Sequence, residues 1–88
     1  MKTEFRSSFA KDLKRVAEKG LLEKIREVIT VIEQADSLVD IPNLKKLKGG
    51  GNYYRLRVGD YRVGLALEQD TLIFVRCLNR KDIYKYFP

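Results

Sequence analysis

Histidine and tryptophan are absent from these 88 residues, and cysteine occurs once, at Cys77. One thiol excludes an internal disulfide framework, and without histidine it also excludes a Cys/His zinc site. Every mechanism that needs an imidazole as base or nucleophile goes with it. Long hydrophobic runs are missing too. The longest unbroken apolar stretch is four residues, against the roughly 20 that span a bilayer, so neither a membrane helix nor a membrane partner is expected. Residues 1–11 mix Lys2, Glu4, Arg6 and Ser7 with two phenylalanines and lack the features of a signal peptide. The expectation is a cytoplasmic protein. Its length admits one domain, residues 1–88, and rules out a two-domain enzyme. What is present is the composition of a folded chain, 44% hydrophobic and 34% charged.

The net charge of +6 is unevenly placed. Residues 1–44 carry eight basic and eight acidic side chains, whereas residues 45–88 carry ten basic side chains against Asp60, Glu68, Asp70 and Asp82. All five tyrosines, at 53, 54, 61, 84 and 86, lie in the basic half. Cations interleaved with aromatic rings suit a polyanion, because they release counterions from phosphates and the rings stack on unpaired bases. The plainer reading is a basic surface that serves solubility.

Thr3 to Phe5 reads as a short first strand. Ser7 or Ser8 is placed to cap a helix whose apolar residues Phe9, Leu13, Val16 and Ala17 follow helical spacing, with Gly20 as its end. Leu21, Leu22, Ile25, Val28, Ile29 and Ile32 form the stripe of a second helix, so a helical hairpin is expected. Asp36 to Leu44 has loop chemistry, Lys45 to Lys48 is a basic segment of open structure, and Gly49–Gly51 is a flexible turn. A phosphate-cradling loop is the sharper reading of that triplet, but the Lys-Ser/Thr continuation is missing.

From Tyr53 the pattern becomes that of strands: Tyr53–Val58, Tyr61–Leu67 and Leu72–Leu78. Gly59-Asp60 suits a two-residue hairpin turn, which sets Val58 opposite Tyr61, Arg57 opposite Arg62 and Arg55 opposite Gly64. Tyr54, Leu56, Val58, Tyr61, Val63, Leu65 and Leu67 then share a core face, and Arg55, Arg57, Arg62 and Gly64 the other. The third strand is apolar on both sides. Ile73, Val75 and Cys77 are expected inward and Arg76 outward, which would leave Leu72 and Phe74 as a greasy surface for a partner helix unless the C-terminal segment buries them.

Like charges directly opposed on neighbouring strands cost up to about 1 kcal/mol, so Arg57 against Arg62 is a choice that stability alone would not make. With Arg55 beside them, opposite a glycine that offers no cover, the expectation is a cationic shelf with open space above its centre. Guanidinium forks match phosphoryl oxygens there. Alternatively the arginines spread to water and pair with Asp60, Glu68 or Asp82. If the segment after Leu78 coils, Arg80 and Tyr84 fall on one side at a spacing of four. Tyr84 either joins the shelf or, with Ile83 and Phe87, clamps the tail.

The succession Leu47-Lys48-Gly49, then Tyr54-Arg55-Leu56-Arg57-Val58-Gly59-Asp60-Tyr61-Arg62-Val63, then Asn79-Arg80-Lys81-Asp82-Ile83-Tyr84 resembles the RelE/ParE toxin superfamily of bacterial type II toxin–antitoxin modules, in its RelE branch. The resemblance implies an α+β fold: an N-terminal helical hairpin packed on one face of a small, mainly antiparallel sheet, with a short C-terminal helical segment. It implies a ribosome-dependent mRNA endonuclease that uses no cofactor or metal. Its partners would be mRNA in the ribosomal A site with the neighbouring 16S rRNA, a cognate antitoxin, and operator DNA through that antitoxin. Carried over by position, the catalytic set is Arg55, Arg57, Arg62, Arg80 and Tyr84. Lys48, Arg55, Arg57, Arg76 and Lys81 would contact RNA. Some relatives have lysine at the positions of Arg55 and Arg57. Arginine does not readily yield its proton, which leaves the identity of the base open.

The composition fits that chemistry. RNA cleaves itself when its 2′-hydroxyl attacks the adjacent phosphorus, so the protein must orient the strand, stabilise the added charge and move two protons. Arg62 and Arg80 are assigned to the charge, Arg55 and Arg57 to the backbone, and Tyr84 to orienting the nucleotide. The alternatives are a ParE-like DNA gyrase inhibitor, a non-catalytic RNA- or DNA-binding module, and an inactivated toxin.

Overall fold

Apolar and polar residues alternate through the second half of the chain, and this alternation builds the sheet at the centre of the molecule. A computed structural model describes the chain from Met1 to Pro88. In chain order it has β1 (Lys2–Phe5), α1 (Ser7–Lys14), α2 (Leu21–Gln34), a single 3₁₀ turn (Leu38–Asp40), β2 (Leu44–Lys46), β3 (Tyr53–Val58), β4 (Tyr61–Glu68), β5 (Thr71–Asn79) and α3 (Ile83–Tyr86). The strands form one sheet in the order β1-β5-β4-β3-β2. All neighbours are antiparallel except β1, which runs parallel to β5. Phe9, Leu21, Ile25 and Ile32 from the helices meet Leu56, Val58, Val63, Leu65, Leu72, Phe74 and Cys77 from the sheet in one core.

The first strand lies where Thr3 to Phe5 was expected, with Lys2 added, and the two helices follow it, α1 packing on β5 and α2 on β1 and β3. Beyond residue 74, β5 has no strand on its outer side, and α1 takes that place. Ser8 Oγ donates to the Val75 carbonyl at 2.6 Å, and Asp12 Oδ2 accepts the Cys77 amide at 2.9 Å. Ser8 therefore does not cap its own helix. Its hydroxyl and the Asp12 carboxylate, one helical turn apart, satisfy backbone groups that an uncovered edge would leave bare. α1 stops at Lys14, short of the expected end at Gly20, and Gly20, with φ of +86°, lies directly before α2.

A second correction concerns β5. Gly64 pairs with Arg76 but Leu65 pairs with Phe74, so Val75 is an extra residue, a bulge that reverses the facing of everything beyond it. Leu72 and Phe74 therefore point into the core before the bulge and Cys77 points there after it. Ile73 lies on the opposite face, beside Ala66. Simple alternation fails at this strand, and Leu72 and Phe74, each 0% exposed, are not a partner surface. The basic segment before the glycine triplet also gains a structure: Leu44–Lys46 pairs with Tyr54–Leu56 as an edge strand.

Candidate functional site

The β3–β4 hairpin carries the centre of the site. Gly59 opens the turn at φ +59°, and the pairs Val58/Tyr61, Arg57/Arg62 and Arg55/Gly64 follow as the two-residue loop requires. The pleat then puts Arg55, Arg57 and Arg62 on the face away from α1 and α2. Arg80 arrives from the turn after β5, whose position is tied to the hairpin tip by the Arg80 amide donating to the Asp60 carbonyl at 2.8 Å. Arg80 and Tyr84 do not share one helix, because α3 starts only at Ile83.

Electrostatics register this convergence. Burial, then the neighbouring Arg55, Arg57 and Arg80 guanidiniums, push Arg62 below the ordinary arginine value, and Tyr84 acts in the opposite direction. Arg62 Nη1 donates to the carbonyls of Gly59 at 3.0 Å and Tyr61 at 2.9 Å, which orients its fork along the turn. Arg57 Nη2 reaches Asn43 Oδ1 only at 3.5 Å. Arg55 Nε is enclosed by protein and has no partner, an arrangement that burial penalises unless an acceptor arrives. The ion pairs of the molecule join Lys2 to Asp70, Arg6 to Glu68, Glu23 to Arg26, Asp12 to Arg76 and Asp82 to Lys85. None involves Arg55, Arg57, Arg62 or Arg80.

Arg76, also expected to contact RNA, differs from the other arginines in being paired within the chain. Its Nε and Nη2 donate to the Asp12 carboxylate at 2.7 and 3.1 Å, and its guanidinium lies 5.9 Å from the Tyr86 ring centre. The Asp12 hydrogen bond, foremost, raises the Arg76 pKa against the opposing effect of burial. Lys81 is exposed, with its amide turned back to Asn79 Oδ1 at 3.0 Å, and nothing draws it into the cluster. Lys48 and Tyr84 do come together: with Lys45, Lys46, Leu47, Phe87 and Pro88 they line a cleft of about 390 Å³ between the basic segment 45–48 and the C-terminal tail.

The space expected above Gly64 is closed. A methyl group on that residue would lie 2.7–2.8 Å from three ring carbons of Phe87, so the glycine is the seat of an aromatic ring. Ile83 and Phe87 are buried and fasten the tail, while Tyr84 remains 62% exposed. The sequence reading named Ile83 and Phe87 as a clamp for the tail but missed Asp12, Asn43 and the seat of Phe87 on Gly64. Only Asp12 left a signal, as a carboxylate beside Leu13 on the otherwise apolar stripe of α1.

The comparisons with known proteins agree with this geometry. The family described as "ParE toxin of type II toxin-antitoxin system, parDE" matches residues 3–84. Toxin RelE3 of Methanocaldococcus jannaschii is 46% identical over 89 residues, covering 100% of both chains. A crystal structure of a RelB-RelE antitoxin-toxin complex from Methanococcus jannaschii superposes with a TM-score of 0.82 at 44% identity, over 97% of this chain and 99% of that one. The fold alone is shared with RelE of the archaeal RelE-RelB complex from Pyrococcus horikoshii, at a TM-score of 0.71 and 22% identity over 90% of this chain and 93% of that one. A strand-first α+β chain with this hairpin, matched along its whole length, belongs to the RelE/ParE superfamily of toxins from type II toxin–antitoxin systems.

Proposed function

We propose that this toxin is an mRNA interferase, a ribosome-dependent endonuclease that acts in the cytoplasm and cleaves by attack of the RNA 2′-hydroxyl on the adjacent phosphate. The observation that carries the reading is the set of four guanidiniums, on Arg55, Arg57, Arg62 and Arg80, gathered without a carboxylate among them. Such a cluster opposes folding through its own repulsion and is relieved by a phosphate, which accepts several charge-assisted hydrogen bonds at once. In the reaction the 2′-oxygen bonds to phosphorus, the bond to the 5′-oxygen breaks, one proton leaves the 2′-hydroxyl and one reaches the leaving oxygen. Arg62 and Arg80 stabilise the charge that grows on the phosphoryl oxygens. Arg55 and Arg57 hold the backbone, and Tyr84 orients the nucleotide from the far side of the cleft that Lys48 also lines. Guanidinium and phenol are the donors here, and the chemistry asks for no metal or cofactor. Arginine stays protonated at neutral pH, so the site handles protons poorly by itself, which fits a need for the ribosome and its 16S rRNA to place the message.

The partner in the resting state is a cognate antitoxin protein, through which the pair would reach operator DNA. The M. jannaschii relative, solved as an antitoxin-toxin complex, supports this. A second reading, a ParE-like inhibitor of DNA gyrase, is favoured by the family description that matches residues 3–84. Primer extension on ribosomes carrying a defined message separates them. New RNA ends at the A-site codon are expected. Gyrase-dependent DNA breaks without RNA ends would establish the second reading, and protection of RNA without new ends would leave a binding module.

A further inference from the structure

α3 has four residues, too few to hold a helix without outside anchors. Its anchors are visible. Ile83 is fully buried at its start, and at its end the Phe87 amide donates to the Ile83 carbonyl at 2.8 Å while the Phe87 ring is 4% exposed. That ring lies over Gly64, at the register position that faces Arg55, and meets the Tyr53 ring edge-on at 5.6 Å. Gly64 is not at positive φ, so the backbone there accepts any residue. What the glycine supplies is room, and Phe87 fills it. Tyr84 stands between the two anchors, exposed, on the cleft that it shares with Lys48 and with Phe87 itself.

We infer that Phe87 is a positioning residue: seated on Gly64, it sets where α3 lies and therefore where Tyr84 meets the nucleotide beside the arginine cluster. This rests on the RNA-cleavage reading above. Phe87 is buried and carries no side-chain donor for a phosphate. It acts through Tyr84, and a displacement of about 1 Å at an orienting group is enough to cost on the order of 100-fold in rate. The arginines stand on the β3–β4 hairpin and on the turn tied to it, so a loosened tail leaves their grip on RNA in place.

Gly64→Ala tests this, since the three atoms its new methyl would approach most closely all belong to the ring. The purified variant, assayed on programmed ribosomes, is expected to lose about 100-fold in kcat with KM nearly unchanged. Adding Phe87→Val makes room for the methyl and should restore most of the loss, whereas Phe87→Val alone should lower kcat. Amide hydrogen exchange at residues 83–87 should quicken in Gly64→Ala and slow again in the double variant. Full turnover by Gly64→Ala, equal losses of binding and turnover, or a well-ordered double variant that stays slow would each overturn the inference. If Gly64→Ala fails to fold, Phe87→Val alone decides, and wild-type kcat in that variant counts against the positioning role. A wild-type protein that cuts no RNA would defeat the nuclease reading. The exchange data would still be read in that case, and an unchanged tail in Gly64→Ala would overturn the lock.

Discussion

Arg76 and Arg62 stand on paired strands, two residues apart in register, and their surroundings move them in opposite directions. Arg76 is gripped by a carboxylate that is itself 5% exposed, and its pKa rises. Arg62 has three guanidiniums for neighbours and only backbone carbonyls for partners, and its pKa falls. One arginine has spent its donors on the fold, and the other four keep donors that no group of this chain uses. The same side chain is a brace in one place and a member of an unneutralised cluster in the other, and what separates the two is the presence of Asp12.

The sharpest way to break that contrast is to remove one member of each set. Arg62→Ala should reduce mRNA cleavage and growth arrest by roughly 10³-fold, about 4 kcal/mol of transition-state stabilisation. Its thermal unfolding should stay within about 0.5 kcal/mol of wild type, because a repulsion leaves together with two hydrogen bonds. Full toxicity in that variant would sink the assignment. Arg76→Met should do the reverse. It strands a buried carboxylate, so stability should drop by about 3 kcal/mol, on the order of 15 °C in thermal midpoint, while the folded fraction cuts at the normal rate when assayed cold. A loss of turnover without a loss of stability would move Arg76 into the site.

Smaller effects refine the comparison. Arg57→Gln should flatten the salt dependence of RNA affinity by about 0.7 in the log–log slope, one single-strand phosphate contact. It should also stabilise the chain by a few tenths of a kcal/mol, since it ends the opposition to Arg62. An unchanged slope in filter binding would take Arg57 off the RNA. The smallest effect concerns Cys77, whose thiol accompanies Asp12 at the braced end of β5. Burial, and then the Asp12 charge, push it from 9.0 up to about 12. The folded thiol thus keeps its proton where the unfolded one loses it. Its contribution is whole below pH 9 and declines as pH rises from 9 toward 12. Denaturant titrations of wild type and Cys77→Ala should give stability curves that run parallel at neutral pH and converge over that range. Parallel curves throughout would mean an ordinary thiol.

Local rules accounted for the hairpin. Gly59-Asp60 implies a two-residue loop, and the loop dictates that Arg57 faces Arg62, which the structure repeats residue for residue. The shelf of arginines was legible for the same reason. β5 was not, because the extra residue at Val75 arises where Ser8, 67 positions away in sequence, binds its carbonyl. Nor was Arg76, since its partner Asp12 lies 64 positions off. Gly64 announced an absence of side chain, and alternation along a strand cannot say that a ring from the tail will fill the gap. β2 is three residues long and owes its form to pairing with β3, so its own composition carried little strand signal.

By itself, then, the sequence determined the sign and density of charge on the second half of the chain, the turn, and the face on which Arg55, Arg57 and Arg62 stand. These follow from side-chain chemistry and from the two-residue period of a strand, which operate over a few neighbours. Only the tertiary structure decided which arginine is neutralised, which apolar residues of β5 are covered, and where Tyr84 is held. Each of those depends on a group from another element, and a pairing across 64 residues is settled by packing, which no local pattern encodes.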